Sequence, residues 1–152
     1  MKRIITVLTL ILVISGTISC KKSKDDGGNN NVPGAKTLSI KLTLSPVPTS
    51  SQGSFSGAIN ALLPNLNLAT WKVNGVVRSN ESTIAFSETD FKNGVLTLET
   101  TEAVSKCSVS LSGIATSANP YTAVIQWTLG GKANDPITMP VTSTLVRSFD
   151  IL

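Results

Sequence analysis

Seven carboxylates lie beyond Val32: Glu81, Glu88, Asp90, Glu99, Glu102, Asp135 and Asp150. Two acids held about 5–10 Å apart in a cleft can hydrolyse a glycosidic bond, one giving a proton and the other acting as base or nucleophile. Glu88 and Asp90 are the pair to consider, converging on one loop with Asp135. The same oxygens would suit a calcium ion, although no EF-hand spacing accompanies them. The competing reading is a set of solvated charges at turns and strand ends. Histidine is absent, which removes the commonest general base and metal ligand. Ser-His and Cys-His nucleophile pairs go with it, as does an ordinary zinc site. No glycine pattern suited to cradling phosphate appears. The expectation is a protein that is not an enzyme, with no catalytic residue, no metal and no cofactor.

Few other side chains offer chemistry. Trp71, Trp127 and Tyr121 are the candidates for a platform that stacks on a sugar. Both tryptophans fall on apolar faces of alternating segments, so core packing is expected of them. Tyr121, beside Asn119 and Pro120 at a strand start, is the ring expected to be exposed. Cys107 lies on the apolar side of Cys107-Ser108-Val109-Ser110-Leu111 and is expected to be a small buried hydrophobe. A reactive thiol needs a nearby cation or base to lower its pKa, and none is adjacent in sequence.

The elements that would carry these residues are strands. Leu38, Ile40, Leu42 and Leu44 alternate with Ser39, Lys41 and Thr43. Cys107, Val109 and Leu111 alternate with serines, and Ala123, Ile125, Trp127 and Leu129 share a face. Ile84-Ala85-Phe86 and Val95-Leu96-Thr97-Leu98 are shorter pieces. The last stretch, Ile137 to Ile151, spaces Met139, Val141, Leu145 and Phe149 by twos and fours. Strict alternation marks half-buried strands. Asn74-Gly75 between two short apolar pieces suits a two-residue hairpin, since both residues tolerate positive φ. Asn93-Gly94 opens another strand. The segment from Ala58 to Pro64 reads as a short helix or an irregular crossover. Eight or nine strands follow, with turns every 8–12 residues, the spacing of a sandwich or barrel.

The middle of the chain carries a resemblance. Thr70-Trp71-Lys72-Val73-Asn74-Gly75, then Ile84-Ala85-Phe86, then Phe91-Lys92-Asn93-Gly94-Val95-Leu96-Thr97-Leu98 resembles a pattern of immunoglobulin-like and polycystic-kidney-disease-like sandwich domains of exported bacterial proteins. The resemblance implies a core tryptophan and a glycine that opens a strand of the facing sheet. The fold class expected is all-β, a single immunoglobulin-like antiparallel β-sandwich over residues 36–152. The alternative is a lipocalin-like up-and-down β-barrel.

The first residues read as an address. Lys2 and Arg3 precede an apolar run from Ile4 to Ile14, the layout of a secretory signal. From Ile4 to Ile18 there are 15 residues, including threonines and a glycine, short of the roughly 20 that a spanning helix needs. The run ends Ser15-Gly16-Thr17-Ile18-Ser19-Cys20, which resembles the lipobox of bacterial lipoprotein precursors; Thr17 stands where leucine is usual. That resemblance implies a signal peptide over 1–19 and diacylglycerol on Cys20, whose freed amine is then acylated. Two or more chains anchor stably where one does not. Residues 20–35 are then lipidated cysteine and tether: Lys21 to Asn31 is polar and Gly/Asn-rich, without apolar residues. Lys24-Asp25-Asp26 also resembles a surface-export signal of lipoproteins in some Gram-negative groups.

Charge narrows the partners. The chain's net charge of +4 comes largely from its first residues. From Val32 onward there are eight cations against seven anions, scattered along the chain. Nucleic-acid binding needs clustered basic residues, so no nucleic acid is expected. The expected partners are a membrane, through the lipid, and a glycan or protein ligand. The expected place is the outer membrane of the cell envelope, facing outward, with the periplasmic face as alternative. The expected role is binding or structural. A small apolar-ligand carrier of barrel type and a carboxylate-dependent hydrolase are the alternatives.

Overall fold

The alternating segments pair into antiparallel ladders in the computed structural model, which describes residues 34–152 apart from Asn80 and Ser82. Cys20, the signal peptide and nearly all of the tether lie outside the described residues. In chain order the strands are β1 (Leu38–Ser45), β2 (Gly53–Leu62), β3 (Trp71–Val73), β4 (Val76–Arg78), β5 (Ile84–Ser87), β6 (Val95–Thr100), β7 (Lys106–Ala115), β8 (Tyr121–Leu129), β9 (Lys132–Ala133), β10 (Ile137–Val141) and β11 (Thr144–Asp150). A single 3-10 turn, Glu88–Asp90, follows β5.

Two sheets form. The larger runs β10-β8-β1-β6-β3-β4, with β9 paired to β8; the smaller runs β11-β7-β2-β5. β1 sits in the middle of its sheet, bonded to β8 over Leu38–Ser45 and to β6 over Ser39–Thr43. Its inward residues Leu38, Ile40, Leu42 and Leu44 are all buried. They face the inward residues of the smaller sheet, among them Phe55, Ile59, Ile84 and Val109. Each such side chain contributes about 1.5–3 kcal/mol on leaving water, so the alternation in the sequence is the main stabilising device. Trp71, 1% exposed, is the largest fully buried side chain, as its sequence context implies.

An aromatic seam joins the layers. Phe55 of β2 meets Tyr121 of β8 at a centroid distance of 6.3 Å and Phe91 at 5.9 Å, both edge-to-face. Phe91 in turn meets Phe86 of β5 at 6.4 Å. Edge-to-face contacts of this kind add about 0.5–1.5 kcal/mol beyond burial. Gly57 and Gly113 make room for the rings: a Cβ on Gly57 would fall 2.4 Å from Phe86 Cζ, and one on Gly113 would fall 2.6 Å from Tyr121 Oη.

The turns follow their chemistry. Asn74 and Gly75 take φ of 48° and 82°, joining β3 to β4 as a two-residue hairpin. Asn74 also ties in its surroundings: its Nδ2 donates to the Asp90 carbonyl at 2.9 Å, and its Oδ1 accepts from the Thr97 N–H at 3.1 Å. Asn93 and Gly94, at 52° and 77°, make the tight turn before β6.

Three expectations need correction. The lipocalin-like barrel is not formed: the two sheets stay separate and each keeps two edges. The chain crosses from β10 to β11 through Thr142 and Ser143, joining the sheets by connection and not by a ladder. Ala58–Pro64 is neither helix nor crossover, since β2 runs through Leu62 and pairs with β7 over ten residues; the long ladder overrides weak local preference. The described residues form eleven strands, because Ile137–Ile151 splits between the sheets and short pieces such as β9 add to the total.

Candidate functional site

The carboxylates do not assemble. Glu88 accepts a hydrogen bond from the Phe55 N–H at 3.1 Å, and Asp90 accepts from the Ser87 N–H at 2.8 Å. Glu102 receives the Thr70 N–H at 3.1 Å. Glu81 pairs with Arg78 in a bidentate contact that raises the guanidinium's pKa. Asp150 accepts from the Ser108 hydroxyl at 2.6 Å. Each of these acids has a local structural partner. Asp135 lies between β9 and β10, beside β8, whereas Asp90 touches the β3–β4 turn. Between β8 and β3 lie β1 and β6, so the separation across the sheet is about 14 Å at the usual strand spacing. The expected convergence of Glu88, Asp90 and Asp135 therefore does not occur. Among the described residues no three His, Cys, Asp or Glu side chains gather closely enough to hold a metal ion.

The aromatic candidates divide. Tyr121 is not exposed, contrary to expectation. It is 3% exposed, and its hydroxyl donates to the Ser54 carbonyl at 2.5 Å, tying β8 to β2 across the sandwich. Burial, reinforced by the charge of Glu88 and opposed by a backbone hydrogen bond, pushes the phenol up to about 12. Sequence context missed this because Pro120 and Asn119 mark a loop, while the ring turns back under Gly113. Cys107 is buried as expected, and burial followed by the charge of Asp150 pushes its thiol up to about 12. Trp127 is only half buried and lies against Phe149 of β11, centroids 5.9 Å apart and planes tilted by 31°.

That contact borders a surface which the sequence reading did not single out. β10 ends the larger sheet and β11 ends the smaller. Between them is a half-open groove of about 460 Å³ whose walls include Ile137, Met139, Leu145, Arg147 and Phe149. Register explains the walls. Leu145, Arg147 and Phe149 stand opposite Gly113, Leu111 and Val109 of β7. Leu111 and Val109 face the core, so Arg147 projects from the core-facing side of its strand with an apolar residue two positions away on either side. No ion pair holds it among the described residues. A detectable signal was present: Leu145-Val146-Arg147-Ser148-Phe149 places one cation on the apolar face of an alternating segment. A groove with an apolar floor and one unpaired cation can receive an extended or amphipathic ligand bearing an anion.

The fold and this groove define a class: a two-sheet antiparallel β-sandwich, open along one side between its terminal strands. No family model matches the sequence, and no curated protein matches it. Solved structures are similar to it in fold. One is a domain of unknown function, DUF4425, from Bacteroides vulgatus ATCC 8482, with a TM-score of 0.56 and 12% identity, covering 78% of this chain and 94% of that one. Another is a DUF4425 family protein from Bacteroides ovatus ATCC 8483, with a TM-score of 0.59 and 15% identity, covering 77% and 94%. A third is described as the calcium-bound form of a protein from Parabacteroides distasonis, with a TM-score of 0.52 and 14% identity, covering 80% and 99%.

Proposed function

We propose that this chain is a bacterial lipoprotein precursor, cleaved ahead of Cys20, whose lipidated Cys20 holds a non-catalytic binding sandwich at the outer membrane, facing outward. The observation that carries the reading is the N-terminal order: Lys2-Arg3, the apolar run Ile4–Ile14, Ser19-Cys20, then a polar stretch to Asn31. The domain's ladder bonds begin at Lys36, which is bridged to Val104, so 15 residues, Lys21 to Ala35, stand in the sequence between Cys20 and the domain.

Support for a binding role lies in what the polar groups do. Five of the seven acids, Glu81, Glu88, Asp90, Glu102 and Asp150, serve backbone amides, a hydroxyl or an arginine, and Asp135 lies apart from Glu88 and Asp90. In the groove between β10 and β11, by contrast, Arg147 has no ion-pair partner among the described residues. Calcium, bound in one of the structures similar in fold, takes six to eight oxygens, and among the described residues no three His, Cys, Asp or Glu side chains gather to supply them.

The test is to express the gene in its native host, feed radioactive palmitate, and treat intact cells with protease. The wild-type chain should carry label and lose its domain to the protease, and Cys20→Ala should carry none. Absence of label on the wild type would overturn the anchor. Label with full protection from protease would overturn the outward orientation and move the domain to the periplasmic face.

A further inference from the structure

Five described strands lie at sheet edges: β4 at one edge of the larger sheet, β10 with the two-residue β9 at the other, and β11 and β5 in the smaller. Their edges are unequal. β4 has three residues and β5 four. β10 has five, but its Pro140 has no N–H to give to a ladder. β11 runs seven residues without a proline. Among the described residues it is the longest free edge, and such an edge is a template for another strand.

Which of its backbone groups are free follows from its two ends. The Ala115 N–H donates to the Ser143 carbonyl at 2.7 Å, and the Ile151 N–H donates to the Cys107 carbonyl at 2.9 Å. Both pairs continue the β11–β7 register. Bonded and non-bonded pairs alternate along an antiparallel ladder. Leu145, Arg147 and Phe149 therefore also bond to β7, while Thr144, Val146, Ser148 and Asp150 turn their N–H and C=O groups to the open side. An added strand would bond to those four residues. The residues it places opposite Leu145, Arg147 and Phe149 would form the close, non-bonded pairs, with Cα atoms about 4.5 Å apart and side chains in contact. Those side chains would enter the groove beside Ile137 and Met139.

Arg147 decides what kind of strand can add. It stands between Leu145 and Phe149 on the groove side and has no anionic partner among the described residues. A second copy of β11 cannot supply one. The groove-facing residues of this segment are Ser143, Leu145, Arg147, Phe149 and Ile151, and none is acidic. Self-pairing would set Arg147 against itself or against an apolar or hydroxyl side chain, which is unfavourable. An inward-pointing charge is one of the devices by which edges resist their own kind. A foreign strand with a carboxylate opposite Arg147 would gain a charge-assisted hydrogen bond, and apolar residues two positions to either side would cover Leu145 and Phe149.

We infer that the open edge of β11 receives an extended segment of a partner protein, patterned apolar-x-acid-x-apolar, which joins the smaller sheet with its acid on Arg147. The inference rests on the binding role proposed above and narrows its ligand to a protein segment. It does not depend on the lipid anchor.

The test uses the full-length ¹⁵N-labelled chain in detergent micelles. It is titrated with the peptide Thr-Val-Thr-Glu-Thr-Val-Thr and with its Lys-centred counterpart, and amide exchange is followed by NMR. The Glu-centred peptide should protect the amides of Thr144, Val146, Ser148 and Asp150, and the Lys-centred one should bind about tenfold more weakly or worse. Arg147→Glu should reverse that preference. Val146→Pro, which removes an outward N–H that β7 does not use, should weaken both peptides. If the proline variant fails to fold, the Arg147→Glu comparison stands alone. Equal binding of both peptides, or no protection on β11, would overturn the inference. Protection that appears without peptide and grows with protein concentration would assign the edge to a second copy and overturn it too. Palmitate label on Cys20 reads the anchor separately, so failure of the one is not failure of the other.

Discussion

Gly113 and Tyr121 offer a test of how the two layers are held together beneath the groove. A Cβ built on Gly113 meets Tyr121 Oη at 2.6 Å, Phe55 Cδ2 at 3.3 Å and Val141 Cγ1 at 3.4 Å. Only the first contact is a severe clash. Gly113→Ala must therefore displace the hydroxyl that donates to the Ser54 carbonyl, and overpacking of this kind costs about 1–3 kcal/mol. Tyr121→Phe loses the same hydrogen bond and leaves the Ser54 carbonyl without that partner, a cost of about 1–2 kcal/mol. In the double variant the clashing atom is gone, and every remaining neighbour of the new Cβ lies at 3.3 Å or beyond. Its destabilisation should fall short of the sum of the single variants by about 1–2 kcal/mol, well outside the scatter of independent sites. Urea unfolding of the four proteins, fitted with a common m-value, measures this. Additivity within about 0.5 kcal/mol would refute the claim that the hydroxyl is what Gly113 accommodates.

The other expected outcomes test turns, burial and titration. Asn74→Ala loses both side-chain bonds and meets a positive φ of 48°, so it should cost about 2–3 kcal/mol; Asn74→Gly keeps the turn and should cost less, as urea midpoints would show. In a Cys20→Ala chain, Ellman's reagent should find no thiol at pH 8 under native conditions and one after unfolding, because burial holds the Cys107 thiol near 12; fast native labelling would contradict its burial. Stability should be intact below about pH 9 and fall as pH rises toward 12. The unfolded thiol and phenol release protons from their ordinary values of 9.0 and 10.0, while the folded ones hold them to about 12. Tyr121→Phe should flatten the part of that fall between pH 10 and 12, which a pH series of urea midpoints would reveal. Added calcium should leave the thermal midpoint unchanged; a rise would reopen Glu88 and Asp90 as ligands.

The sequence by itself determined the material of the fold. Leu38 through Leu44 and Cys107 through Leu111 became buried strand faces because a period of two is a local property, written in neighbouring residues. Asn74-Gly75 and Asn93-Gly94 became tight turns because φ preference is equally local. The core position of Trp71 and the inert burial of Cys107 followed from the faces they occupy. What lay beyond reach depended on which distant strands pair. Tyr121 is buried because β8 faces β2 across the sandwich, 67 positions away in the chain. Glu88 and Asp90 went to a 3-10 turn and Asp135 to the edge beside β8, and sequence proximity between two acids says nothing about a third. The split of Ile137–Ile151 into two sheets turned one apolar stretch into facing walls and left Arg147 between them. Periodicity fixes which side of a strand is apolar, but only the order of strands in the sheets decides which strand is left without a neighbour.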